Sequence, residues 1–302
     1  MTAPNNGGSI FSHAVVIGVG LIGGSIVRCL RREGLVQRIS GVGRETANLE
    51  RAEQLGIIDD WSHDLAATVA SADLIILAVP MGAYAQIFSI LNVALPAHAI
   101  ITDAGSTKSH AIAMAEIHLP NHIDRFVPAH PIAGTEQSGV EASFDSLFQG
   151  RRCIITPHAK MSDDALSRVY QIWQATGSVL IEMSAEHHDT LLASVSHLPH
   201  LAAFALVNGV CETGKQQPYD PFEFAAGGFR DFTRIASSSP AMWRDIALSN
   251  RQALLQTLDG YQQQLTRIRN AIEHEDGDAL LGMFTSAKEA RDQWLKTYGE
   301  KQ

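Results

Sequence analysis

The sequence predicts an α/β fold, a Rossmann-type, doubly wound, mostly parallel sheet, followed by an all-α domain. Three observations predict it. Short apolar runs alternate with helical segments up to about residue 183. A glycine-rich loop joins the first strand to the first helix. From Ser184 onward β-branched clusters become rare and helical periodicity takes over. The 302 residues allow about two domains at roughly 150 residues each. The expected division is a flexible arm over 1–12, a dinucleotide-binding domain over 13–183 and a helical domain over 184–302.

In chain order, the first strand signal is the run 14–17, and a helix follows at once. A strand over 39–42, a helix over 46–55 and a short helix over 65–69 come next. The runs 74–79 and 99–102 are apolar without alternation, as central strands covered by helices on both faces require. Helices over 83–93 and 108–117 follow them. Strands over 126–128 and 153–156 flank a glycine-containing loop, 130–139, that begins with His130-Pro131. A helix over 165–176 and a strand over 178–181 complete the first domain. The last helices, 240–274 and 276–297, are long enough for a domain this small to suggest that one face is buried against a second subunit.

Lys and Arg number 23 against 32 Asp and Glu, a net charge of −9 that would repel a phosphate backbone. Nucleic acid is therefore not expected as a partner. Cys29, Cys153 and Cys211 form no CxxC pair, which fits a reducing compartment. The N-terminal residues lack the basic and apolar regions of a secretory signal. Uninterrupted apolar runs such as 74–79 stop far short of the ~20 residues of a bilayer span. A cytoplasmic protein with no membrane partner is the expectation.

Gly18-Val-Gly20-Leu21-Ile22-Gly23 follows the first strand and opens a helix, the context a GxGxxG fingerprint needs. Gly18 permits the tight turn, Gly20 lets a pyrophosphate approach the backbone, and Gly23 lets helix and strand pack closely. Leu21 and Ile22 supply amides of the helix N-terminus. Val79 and Pro80 end another strand on the same edge and join the cofactor-binding set. A carboxylate is expected ~20 residues past the glycines if NAD is to be held by its ribose. Gly43 stands there, with Arg44 beside it. That removes a charge repelling a 2′-phosphate and adds one that pairs with it, which favours NADP over NAD. Arg44 stacking on adenine or facing solvent, with Glu45 taking the hydroxyl, is the alternative.

Four motifs then coincide: the GxGxxG start, Asp103-Ala-Gly-Ser106-Thr-Lys108, His130-Pro-Ile-Ala-Gly-Thr135-Glu, and Ser196-His197-Leu-Pro-His200 with Gly227-Gly-Phe-Arg230-Asp231-Phe-Thr-Arg234. Together the chain resembles the prephenate and arogenate dehydrogenase family, from about His13 to the last helix. The resemblance implies NAD(P)-dependent oxidative decarboxylation of prephenate, arogenate or both, in tyrosine biosynthesis. It implies that His130 is the catalytic histidine, that Ser106 contacts it and the substrate hydroxyl, that His197 lies in the substrate pocket and that Arg234 binds a substrate carboxylate. Thr135 and Trp243 are counted with the substrate-binding residues, although Trp243 would equally anchor the helix after Pro240. The helical domain is expected to be a dimerisation domain and the protein a homodimer acting on a small-molecule substrate.

The residues themselves are consistent with these roles. A neutral imidazole suits a hydroxyl proton acceptor near pH 7, and a fixed guanidinium suits a carboxylate. No metal is needed. His197 and His200 with Glu186, His187 and His188 would otherwise invite a metal reading, but Pro199 distorts the turn between them and favours a kinked helix that places His197 in a pocket. Arg230 and Arg234 lie one helical turn apart, with Asp231 available to orient one of them. The competing readings are a β-hydroxyacid or pyrroline-carboxylate type of NAD(P) oxidoreductase, and a non-catalytic NAD(P)-sensing protein. Neither calls for His130-Pro-Ile-Ala-Gly. With no further domain expected on either side, feedback by tyrosine would have to act at the active site itself.

Overall fold

The computed structural model describes residues 9–135 and 137–299. Six strands, β1 (Phe11–Ile17), β2 (Val36–Val42), β3 (Asp60–Ser62), β4 (Leu74–Leu77), β5 (Ile100–Asp103) and β6 (Phe126–Val127), form an all-parallel sheet in the order β3-β2-β1-β4-β5-β6. Between them run α1 (Leu21–Arg32), α2 (Thr46–Gln54), α3 (Leu65–Val69), α4 (Tyr84–Ala94) and α5 (Lys108–His118). A second sheet, β7 (Ala129–Pro131), β8 (Arg152–Ile155) and β9 (Val179–Glu182), is mixed, with β7 antiparallel and β9 parallel to β8. α6 (Asp163–Ala175) lies between β8 and β9 in sequence. Helices α7 (Ala185–Leu192), α8 (Leu198–Gly214), α9 (Gly227–Thr233) and α10 (Pro240–Ser249) follow, then α11 (Arg251–Glu273) and α12 (Gly277–Tyr298).

The central strands are apolar on both faces because two cores flank the sheet. Ala14 and Val16 of β1, with Leu74 and Ile76 of β4, pack among residues of α1 and α6. Val15, Ile17, Ile75 and Leu77 face the opposite core, with residues of α3, α4 and α5. The strand order reverses between β1 and β4, and ligands of such sheets bind at the carboxyl ends of the strands there.

Several local expectations change. β1 begins at Phe11, which is fully buried, so the expected arm reaches into the sheet; residues 1–8 lie outside the described residues. β3 has only three half-buried residues and gave no periodic signal. The strand expected over 126–128 ends at Val127, and the chain passes directly into β7, which pairs His130 with Ile154. His130 is therefore a strand residue and not a loop residue; strands of two or three residues are too short for a period to register. The helix expected over 240–274 breaks at Asn250, whose side chain is committed to hydrogen bonds elsewhere, as described below.

Helices α7 to α10 belong to the same compact unit as the sheets, and α11 and α12 form a second unit from Arg251. The change of secondary structure at residue 183 and the change of packing at residue 250 thus fall at different places. The continuous helical run 185–214 is long and apolar enough, by length and composition alone, to cross a membrane, and most of its apolar window is not buried. Scanning for uninterrupted apolar runs misses it because polar residues are spaced through it. It carries buried His188, Asp189 and His197, each hydrogen-bonded inside the unit, a poor composition for hydrocarbon.

Candidate active site

Gly18 directly follows β1 with φ +93°, and a Cβ on it would stand 2.3 Å from the Ala78 carbonyl oxygen. A Cβ on Gly23 would stand 2.2 Å from the Gly18 oxygen. These two glycines are therefore required by the close approach of α1 to β1 and β4. Gly20 differs: nothing lies within 4 Å of where its Cβ would be. It precedes α1 as the N-cap, and no side chain caps the helix. Open space beside a helix N-terminus with uncapped amides fits a dinucleotide pyrophosphate. Leu21 and Ile22 begin α1, Val79 is half-buried and Pro80 exposed just past β4, and Arg44 is exposed just past β2.

At the end of β5, Asp103 is completely buried and accepts four hydrogen bonds. Oδ2 accepts from the Tyr84 hydroxyl at 2.7 Å, Lys108 Nζ at 2.6 Å and the Gly105 amide at 3.0 Å; Oδ1 accepts from the Ala129 amide at 2.9 Å. Burial, then the Asp103 charge, pushes the Tyr84 phenol well above its usual value, so it remains a donor. Lys108, also completely buried, donates to the Ala129 carbonyl at 2.7 Å as well. Both backbone polar groups of Ala129 are thus held by one ion pair, which fixes the strand that carries His130.

His130 Nδ1 lies 2.8 Å from His188 Nε2, and His188 Nδ1 lies 2.8 Å from Asp189 Oδ1. Asp189 also accepts from the amides of Lys108 (2.8 Å) and Ser109 (2.9 Å), joining α7 to the start of α5. Burial holds the His130 imidazole well below its usual pKa, with His188, Lys108 and His197 acting in the same direction. His197 lies in a π-type turn, Ala193–His197, between α7 and α8, immediately before Leu198-Pro199. Pro199 lacks an amide proton for a regular helical bond, and the widened turn is the distortion its presence suggested. Asn250 Nδ2 donates to the Asp189 carbonyl (2.8 Å) and lies 3.1 Å from His197 Nδ1. Burial pushes His197 down to about 4.

Trp243 is buried, stacks on His200 at 3.7 Å and meets the His197 ring edgewise at 6.1 Å. His200 Nδ1 donates to the Ser196 carbonyl at 2.9 Å, and burial first, with Arg234 adding, lowers its pKa. Arg234 begins a 3-10 turn after α9, and Arg230 is highly exposed beside Asp231. Ser106 is half-buried in the loop between β5 and α5, and Thr135 is exposed. His130, His188 and His197 come together; among the described residues no hydrogen bond joins Ser106 or Thr135 to them. Among the described residues no group of three or more His, Cys, Asp or Glu could hold a metal.

Sequence reasoning missed Asp103, Tyr84, Lys108, His188, Asp189 and Asn250. The Asp103…Lys108 spacing was visible, but its meaning depends on burial. His188 drew notice only as a metal candidate.

These buried imidazoles make stability pH-dependent. The unfolded chain takes up protons near pH 6.5, whereas folded His197 resists until about pH 4. Below 6.5 the unfolded state binds more protons, so stability is full above pH 6.5 and is lost as pH falls toward 4. His197 alone accounts for roughly 3 kcal/mol of that loss. Urea denaturation between pH 7 and 4 should show the decline, and His197→Gln should flatten it.

The comparisons with known proteins fit this geometry. A family model described as the prephenate dehydrogenase nucleotide-binding domain matches residues 26–182, and one described as its dimerization domain matches 184–286. The chain belongs to the prephenate dehydrogenase family. It is 38% identical to a cyclohexadienyl dehydrogenase of Zymomonas mobilis over 94% of this chain and 96% of that protein. A solved prephenate dehydrogenase from A. aeolicus, in complex with hydroxyphenyl propionate and NAD+, has 37% identity and a TM-score of 0.87, covering 93% of this chain and 98% of that one. A Synechocystis arogenate dehydrogenase has 27% identity and a TM-score of 0.75, covering 93% and 99%.

Proposed function

We propose that this member of the prephenate dehydrogenase family oxidatively decarboxylates prephenate, arogenate or both, using NAD(P). The observation that carries the reading is half-buried His130, held by its pairing with Ile154 and by its 2.8 Å contact with His188, in surroundings that disfavour its charged form. The substrate class is a cyclohexadienol with a hydroxyl at C4 and a carboxylate at C1. A bound nicotinamide would supply the acceptor for the C4 hydride. His130 takes the hydroxyl proton, the oxygen forms its double bond to C4, and the electrons of the C1–carboxylate bond return to the ring as carbon dioxide leaves; His130 then returns the proton to the phenolate. Ser106 is assigned to the hydroxyl, His197 and Thr135 to the pocket, Trp243 to its wall and Arg234 to a carboxylate. Gly18, Gly20, Leu21, Ile22, Gly23, Val79 and Pro80 would hold the cofactor.

A domain division at residue 183 is proposed, and the family matches over 26–182 and 184–286 support it. A homodimer accounts for the apolar residues left exposed on the 185–214 run and, separately, on α12, such as Leu206, Leu281 and Phe284. Initial rates at the reduced-nicotinamide absorbance band, with each substrate and each cofactor, test the activity; no turnover in any of the four combinations contradicts it.

NADP is the favoured cofactor, because Gly43 offers no carboxylate and Arg44 is exposed beside it. Arg44→Ala should weaken NADP binding by about tenfold or more, the value of one charge-assisted pair, and leave NAD nearly unchanged. Equal effects on both cofactors would assign Arg44 another role.

A further inference from the structure

The hydrogen bonds around Asp189 determine where the protons of two imidazoles sit. The Asp189 carboxyl accepts from two backbone amides, which can only donate. Burial would raise its pKa, but hydrogen bonds from His188, the Lys108 amide and Ser109 outweigh this and hold it below the usual carboxylate range. It is ionised and only accepts, so His188 Nδ1 carries a proton. His188 is fully buried, and burial first, with the Lys108 charge, keeps its ring below the usual imidazole value despite Asp189. A neutral His188 has a bare Nε2, and the 2.8 Å contact then requires the proton on His130 Nδ1. His130 Nε2 is left as a lone pair.

A second set of contacts starts from the same residue. The Asp189 carbonyl only accepts, so the atom of Asn250 facing it is the amide nitrogen, which donates. That same nitrogen faces His197 Nδ1, which must accept, so a neutral His197 carries its proton on Nε2.

We propose that Asp189 assigns these imidazoles opposite roles, acting through His188 to make His130 Nε2 an acceptor and through Asn250 to make His197 Nε2 a donor. His188, Asp189 and Asn250 are then positioning residues. As His130 gains a proton at Nε2, it keeps its Nδ1 bond to His188, and the Asp189 charge offsets the new cation through that ring. This catalytic use rests on the proposed hydroxyl chemistry; the tautomers themselves do not.

The direct test is a two-bond ¹H–¹⁵N spectrum of ¹⁵N-histidine-labelled protein near pH 7, assigned with His130→Asn and His197→Asn. The expected result is a proton on Nδ1 of His130 and on Nε2 of His197. The reverse tautomer at either ring, or a doubly protonated ring, overturns the proposal. In kinetics, His188→Leu should lower kcat at least about tenfold, the usual cost of losing an orienting partner, with KM nearly unchanged. His188→Gln, whose amide both donates and accepts, should recover most of it. Wild-type kcat in a folded but less stable His188→Leu protein would reduce His188 to a structural residue and overturn its positioning role. If the wild type turns over neither prephenate nor arogenate, the hydroxyl reading fails while the spectrum still decides the tautomers.

Discussion

His130→Asn should lower kcat by about 10²–10⁴-fold, the range expected for losing a positioned general base, and change KM for the substrate far less. The asparagine amide can still donate toward His188 Nε2, so the hydrogen bond that orders this corner of the site survives. What is lost is the lone pair proposed to accept the hydroxyl proton. Because burial and three neighbouring groups hold His130 well below the usual imidazole pKa, the wild-type rate should persist below pH 6.5 rather than fall with an ordinary histidine titration. Steady-state kinetics on both proteins check this, and a variant with near wild-type turnover would remove His130 from proton transfer.

Lys108→Met should cost about 3–5 kcal/mol of stability, because it leaves the completely buried Asp103 carboxylate without its counter-ion. At roughly 2–4 °C per kcal/mol for a unit of this size, Tm should drop by about 10 °C. The same change removes the donor to the Ala129 carbonyl, so turnover should fall with stability even in the folded fraction. Differential scanning calorimetry and kinetics on one preparation measure both. An unchanged Tm would mean that Asp103 is satisfied without Lys108.

Much of this architecture was legible in the sequence because its signals are local. Alternation of β4, α4, β5 and α5 could be read from apolar runs and helical spacing, and the glycine loop from its position between strand and helix. Of the residues that the structure brings together in the candidate site, a motif had assigned a role to His130 and His197, whereas the role of Arg234 remains a proposal. Asp189 and Asn250 lie far apart in sequence and have ordinary surroundings; their importance comes from a contact across 61 residues that folding creates. The split of α10 from α11 was hidden for the same reason, since the apolar spacing runs on through Asn250. His130 was misplaced in a loop because β7 is three residues long.

Hydride removal and loss of carbon dioxide are proposed to be one coupled event on this chain. The most direct measurement is the ratio of carbon dioxide released to nicotinamide reduced when the protein is incubated with prephenate or arogenate. One carbon dioxide is expected for each reduced nicotinamide, with an aromatic product in the same amount. Reduced nicotinamide formed without carbon dioxide would contradict that coupling.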